Sequence, residues 1–71
     1  MGITWVTGVV DELRLMTERS RVLATIKGDN GKSYLLRENG FAPEDRAHSV
    51  RVGQRVKFED RQGYVLDLRH I

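Results

Sequence analysis

Side chains able to make or break covalent bonds are few in this chain, and none stands in a spacing that such chemistry needs. The two histidines, His48 and His70, do not form a pair one helical turn apart, and with no cysteine in the chain no thiolate completes a zinc set. Ser20, Ser33 and Ser49 lie outside any nucleophile-elbow sequence. The nearest acid pairs, Glu44 with Asp45 and Glu59 with Asp60, are adjacent in sequence and read as solvated turns. The run "GDNG" at 28–31 has the glycines of a phosphate loop but neither its lysine nor a following helix. The expectation is a chain with no catalytic residue, no metal site and no cofactor, a binding protein and not an enzyme.

What remains is non-covalent chemistry, carried by charge. Twelve basic residues oppose ten acidic ones for a net charge of +2, and nine of the twelve bases are arginine. The planar guanidinium forks onto phosphate and stacks on flat rings. Acids are interspersed throughout, so the overall field is a weak push toward polyanions. No run approaches the ~20 apolar residues that span a bilayer. The opening "MGITWVTGVV" has no basic start or unbroken apolar core of a signal peptide, and Val6 stands where a myristoylation signal needs Ser or Thr. A cytoplasmic protein without a membrane partner is expected.

These residues must be positioned by a very small framework. Seventy-one residues make one domain, 1–71, and without disulfides its stability has to come from packing and backbone pairing. Period-two patterns dominate. Residues 3–16 read as one long curved strand with Gly8 as a bulge or bend, and "MTERS" at 16–20 as a turn. Strands at 21–27 and 33–37 flank the glycine turn at 28–31, where Asn30, Gly31 and the flanking glycine accept positive φ. A long connection from 38 to 53 holds the only proline, Pro43, suited to the first position of a single helical turn. Strands at 54–59 and 64–71 follow, joined by "DRQG", with Phe58 in the core and Tyr64, Leu66 and Leu68 on one shared face. Trp5 and Phe41 are expected to pack against the barrel ends.

Five strands with no covering helix leave an open sheet one bare face, and closure removes that problem and most of the edges. The predicted fold class is therefore all-β, a small five-stranded antiparallel barrel. An SH3-like barrel also has five strands, but the long first strand and the late excursion before the fourth favour an OB-type barrel.

"TGVV" at 7–10, the strand ending in Ile26, "DNG" at 29–31 and "VGQRVKFE" at 52–59 resemble, in order and spacing, the skeleton of the cold-shock domain across nearly the whole chain. In that family the skeleton reads T-G-x-V, an aromatic pair, K-G-F-G-F-I, D-D/N-G, V-F-V-H and G-Q-x-V-x-F. The resemblance implies an OB barrel whose first three strands stack unpaired bases on aromatic rings. Here the ring positions of the second strand fall on Leu23 and Thr25, and those of the first on Glu12 and Leu13. With a short deletion after Gly31, V-F-V-H falls on Ser33, Tyr34, Leu35 and Leu36, which keeps only Tyr34 as a ring. Each lost stack removes roughly 1–3 kcal/mol of binding. The resemblance so implies weak, electrostatics-dominated binding of single-stranded RNA or DNA through Arg14, Arg21, Leu23, Lys27, Lys32, Tyr34 and Arg37. The competing expectation keeps the barrel and makes Leu13, Leu23 and Leu36 a protein-contact surface.

Overall fold

Alternating side chains become an inside and an outside once the strands close on themselves. The computed structural model describes residues 3–14, 21–42 and 50–71. It contains β1 (Trp5–Leu13), β2 (Val22–Gly28), β3 (Ser33–Arg37), β4 (Arg55–Arg61) and β5 (Tyr64–His70). They form a closed barrel in the order β1-β2-β3-β5-β4, with β4 pairing back onto β1. The helical turn expected near Pro43 lies outside the described residues.

The barrel is not antiparallel throughout: β3 and β5 run parallel. An odd number of strands cannot alternate in direction around a closed ring, so one neighbouring pair has to match. Each strand sends two side chains inward: Val6 and Val10, Ala24 and Ile26, Tyr34 and Leu36, Val56 and Phe58, Val65 and Leu68. Phe41 and Val50 pack against this core from the connection between β3 and β4. The Tyr34 and Phe58 rings meet edge to face with centroids 4.9 Å apart, a contact worth about 0.5–1.5 kcal/mol beyond the area it buries.

Irregularities in β1 and β5 help decide which residues face out. In β1 the extra residue is Asp11, since Val10 lies opposite Ile26 and Glu12 opposite Thr25; Gly8 is regular. Gly8 serves close approach instead, because a Cβ there would lie 2.5 Å from the Lys27 carbonyl oxygen. In β5 Asp67 takes φ 53° and adds a residue between Leu66, opposite Glu59, and Arg69, opposite Lys57. That bulge turns Leu68 inward, so Leu68 does not share a face with Tyr64 and Leu66 as the alternation predicted.

The turns follow their residues with one change. At 28–31 only Gly31 adopts positive φ, at 85°, while the Gly31 amide donates to the Gly28 carbonyl and the Asn30 side chain accepts from the Lys32 amide. The link between β4 and β5 is a two-residue turn with Gln62 and Gly63 both left-handed, at φ 55° and 88°.

Two stability predictions of opposite sign follow. Gly8→Ala places a methyl group against backbone that cannot swing aside, and a denaturant titration should show a loss of roughly 1–3 kcal/mol. Gln62→Asn supplies a residue that tolerates the left-handed region, and should raise the melting temperature by recovering about 0.5–1 kcal/mol of the ~1–2 kcal/mol that region costs.

Candidate nucleic-acid interface

The register builds the outer face strand by strand. Glu12, Thr25, Leu35, Tyr64 and Arg61 lie opposite one another in a single row across β1, β2, β3, β5 and β4. Beside that row Lys27 sits between Val9 and Ser33, and Arg37 lies opposite Val22. Arg37 is two residues past Leu35 on β3, and its guanidinium carbon lies 3.6 Å from the centroid of the half-buried Tyr64 ring. A cation seated on a ring face at this distance is attracted by the ring quadrupole, which holds the guanidinium against the barrel wall.

The residues named from the sequence divide sharply. Lys27, Lys32 and Arg37 are exposed on the β2–β3 hairpin, and among the described residues none makes an ion pair. Leu23 is half-buried at a third irregularity, between Val22 and Ala24. Arg14 is exposed just past β1, where its amide donates to the Leu23 carbonyl (2.8 Å). Arg21 is exposed and 4.0 Å from Glu38, a separation at which a solvated pair contributes little.

Tyr34 is a correction. It is 2 % exposed, inside the barrel, and so is not an outward ring. It lies opposite the inward Ile26, and directly opposed residues share a face, so the outward residue opposite Thr25 is Leu35. A slip of one residue in a strand exchanges the faces completely. Its hydroxyl is satisfied within the fold, accepting from Asn30 Nδ2 (3.0 Å) and donating to Asp60 Oδ2 (3.4 Å). Leu36, opposite Ala24, is likewise fully buried and cannot join Leu13 and Leu23 in a contact patch.

Asp29 is the only acid between residues 21 and 37, and it is held away from the open face. Arg55 donates to both of its carboxylate oxygens (2.9 and 2.8 Å), the Thr7 hydroxyl donates to one, and the Asp29 amide donates to the Thr7 carbonyl. Arg55 first, then Thr7, holds the Asp29 carboxyl far below the usual carboxylate range. Arg61 is spent in a similar way, its Nε 2.7 Å from the buried Glu59. The open charge of the hairpin is therefore carried by Lys27, Lys32 and Arg37.

Two components of this face escaped the sequence reading, Leu35 and Tyr64. Leu35 was detectable from alternation once the phase of β3 is set by Tyr34 as core. Tyr64 had no local signal, because its place beside Arg37 depends on a contact between strands separated by a long connection.

The Asp29 clamp has a pH signature. Its folded pKa lies below the ordinary 3.8, so its contribution to stability is complete above that value and is lost as pH falls through it toward the folded pKa. The stability difference between wild type and Asp29→Asn, measured by denaturant titration across pH, should be constant above about pH 5 and shrink below it. A constant difference down to the acid limit would mean the clamp does not hold the charged form.

In comparisons with known proteins, no family model, no curated protein and no solved structure matches this chain.

Proposed function

We propose that this chain is an OB-type, cold-shock-like barrel that binds single-stranded RNA or DNA weakly, across the outer face of the β2–β3 hairpin, by charge more than by stacking. The observation that carries this reading is the set of three cations, Lys27, Lys32 and Arg37, on one hairpin whose only acid is clamped by Arg55. Lys27 and Lys32 contact phosphates as point charges. Arg37, seated over the Tyr64 ring, offers its guanidinium to a base or a phosphate. Leu35 and Leu23 provide the apolar floor between them, with Arg14 and Arg21 flanking the far end of the hairpin. No step of bond chemistry is assigned to the protein.

A protein-contact role through Leu13, Leu23 and Leu36 has less support, because Leu36 is inside the core.

Binding of this kind has a defined salt response. Three phosphate contacts on a single strand give a log–log slope near −2, so affinity falls roughly 20-fold between about 50 and 200 mM salt. Neutralising Lys27 or Arg37 should reduce the slope by ~0.7 each, and the amide shifts on titration should cluster at Lys27, Lys32, Leu35, Arg37 and Tyr64. Binding that ignores salt, or shifts confined to another face, would sink the proposal.

A further inference from the structure

The single tryptophan of the chain is not covered. Trp5 begins β1, points outward because Val6 takes the inward position, and keeps 42 % of its surface exposed. One flank is approached by Lys57, whose Nζ lies 5.4 Å from the ring centroid. Beside the ring an open groove of about 280 Å³ runs between the start of β1 and the hairpin tip, lined by Thr4, Trp5, Val6, Thr7, Asp29 and Asn30. That size lies just under the ~300 Å³ at which pockets begin to hold drug-sized ligands, and it suits one ring system.

We propose that this groove takes one unpaired nucleobase, stacked on Trp5, with its polar edge against Thr7, Asp29 and Asn30. The inference rests on the single-strand reading above and adds a second, base-dependent site to it. The polar wall is already fixed. Asp29 is oriented by Arg55 and Thr7, while Asn30 accepts from the Lys32 amide through Oδ1 and donates to Tyr34 through Nδ2. After those bonds the wall still offers a second Nδ2 proton on Asn30 and acceptor lone pairs on Thr7 Oγ1 and the Asp29 carboxylate. A base edge carries both donors and acceptors, and an unpaired base exposes them.

Charge around the groove identifies the ligand as part of a strand. Lys57 on β4 lies opposite Thr7 with its Nζ over the Trp5 ring, which sets a cation next to the groove. Lys32 follows the turn and donates its amide to the side chain of Asn30, which lines the groove, so a backbone leaving the β2–β3 face passes Lys32 and the tip before it meets Lys57. Asp29, neutralised by Arg55, does not repel it. The arrangement separates two tasks: cations on the hairpin hold phosphates, and Trp5 holds a base.

Trp5 is its own reporter, since its emission is the only tryptophan signal in the chain. The full chain would be titrated at low salt with a single-stranded oligodeoxyadenylate and with an abasic strand of equal length, each followed by anisotropy of a labelled strand and by Trp5 fluorescence. The adenylate should quench Trp5 with the same midpoint as the anisotropy change, and the abasic strand should bind without quenching. Trp5→Leu, which keeps apolar bulk, should weaken the adenylate about tenfold, within the range of one lost stack, and leave the abasic strand unchanged. Adenylate binding without quenching, or equal quenching by the abasic strand, overturns the base site while the hairpin reading stands. Silence of both strands in both readouts overturns the two together.

Discussion

Five strands cannot alternate in direction around a closed ring, and the one parallel contact this forces falls between β3 and β5. The seam is narrow. Its registered partners are Leu35 with Tyr64 and, beyond the strand ends, Phe41 with Leu68. The Leu35 amide donates to the Gly63 carbonyl (3.0 Å), the Leu68 amide to Gly40 (2.8 Å) and the Ala42 amide to Leu68 (3.1 Å). Gly40 allows the two chains to close up, because a Cβ there would lie 2.7 Å from the Val65 carbonyl oxygen. This seam carries Tyr64 to Arg37, so the ring of the candidate interface is a consequence of barrel closure.

The other end of the hairpin is fixed by charge. Arg55 and Thr7 grip Asp29 from β4 and β1, and the ladder pairs Gly8 with Gly28 directly beneath. Exposed ion pairs add little stability individually. Their value here is geometric: the clamp pins the tip across the barrel mouth and cancels the hairpin's one negative charge. The same clamp sets one wall of the groove at Trp5, so the hairpin cations and the groove share a common support.

The segments most like a cold-shock domain have local structural reasons in this barrel. In "TGVV" Thr7 holds Asp29 and Gly8 permits the approach of β2. In "VGQRVKFE" Gly53 takes φ 88°, the Gln54 amide donates to the Arg51 carbonyl and its side chain accepts from the Arg51 amide, while Val56 and Phe58 fill the core. Turn chemistry and ladder spacing account for them without any ligand. The positions that stand where that family carries rings on its first two strands, Glu12, Leu13, Leu23 and Thr25, are exposed or half-buried.

Strand identity was legible in the chain because alternation, turn glycines and the absence of a helix pattern are local properties. All five strands appear where period two places them, to within a few residues at their ends, and an odd count with no covering helix points to closure. The candidate face was legible only in part. Lys27, Lys32 and Arg37 could be named from their charge and the resemblance to a cold-shock domain, but which rings stand beside them could not. Alternation gives two faces per strand without saying which is inward, and one bulge or one shifted residue reverses the answer, as at Tyr34, Leu36 and Leu68. Those phases are decided by packing across the barrel: the large Tyr34 and Phe58 rings fill its interior together, and the parallel seam alone brings Tyr64 beneath Arg37.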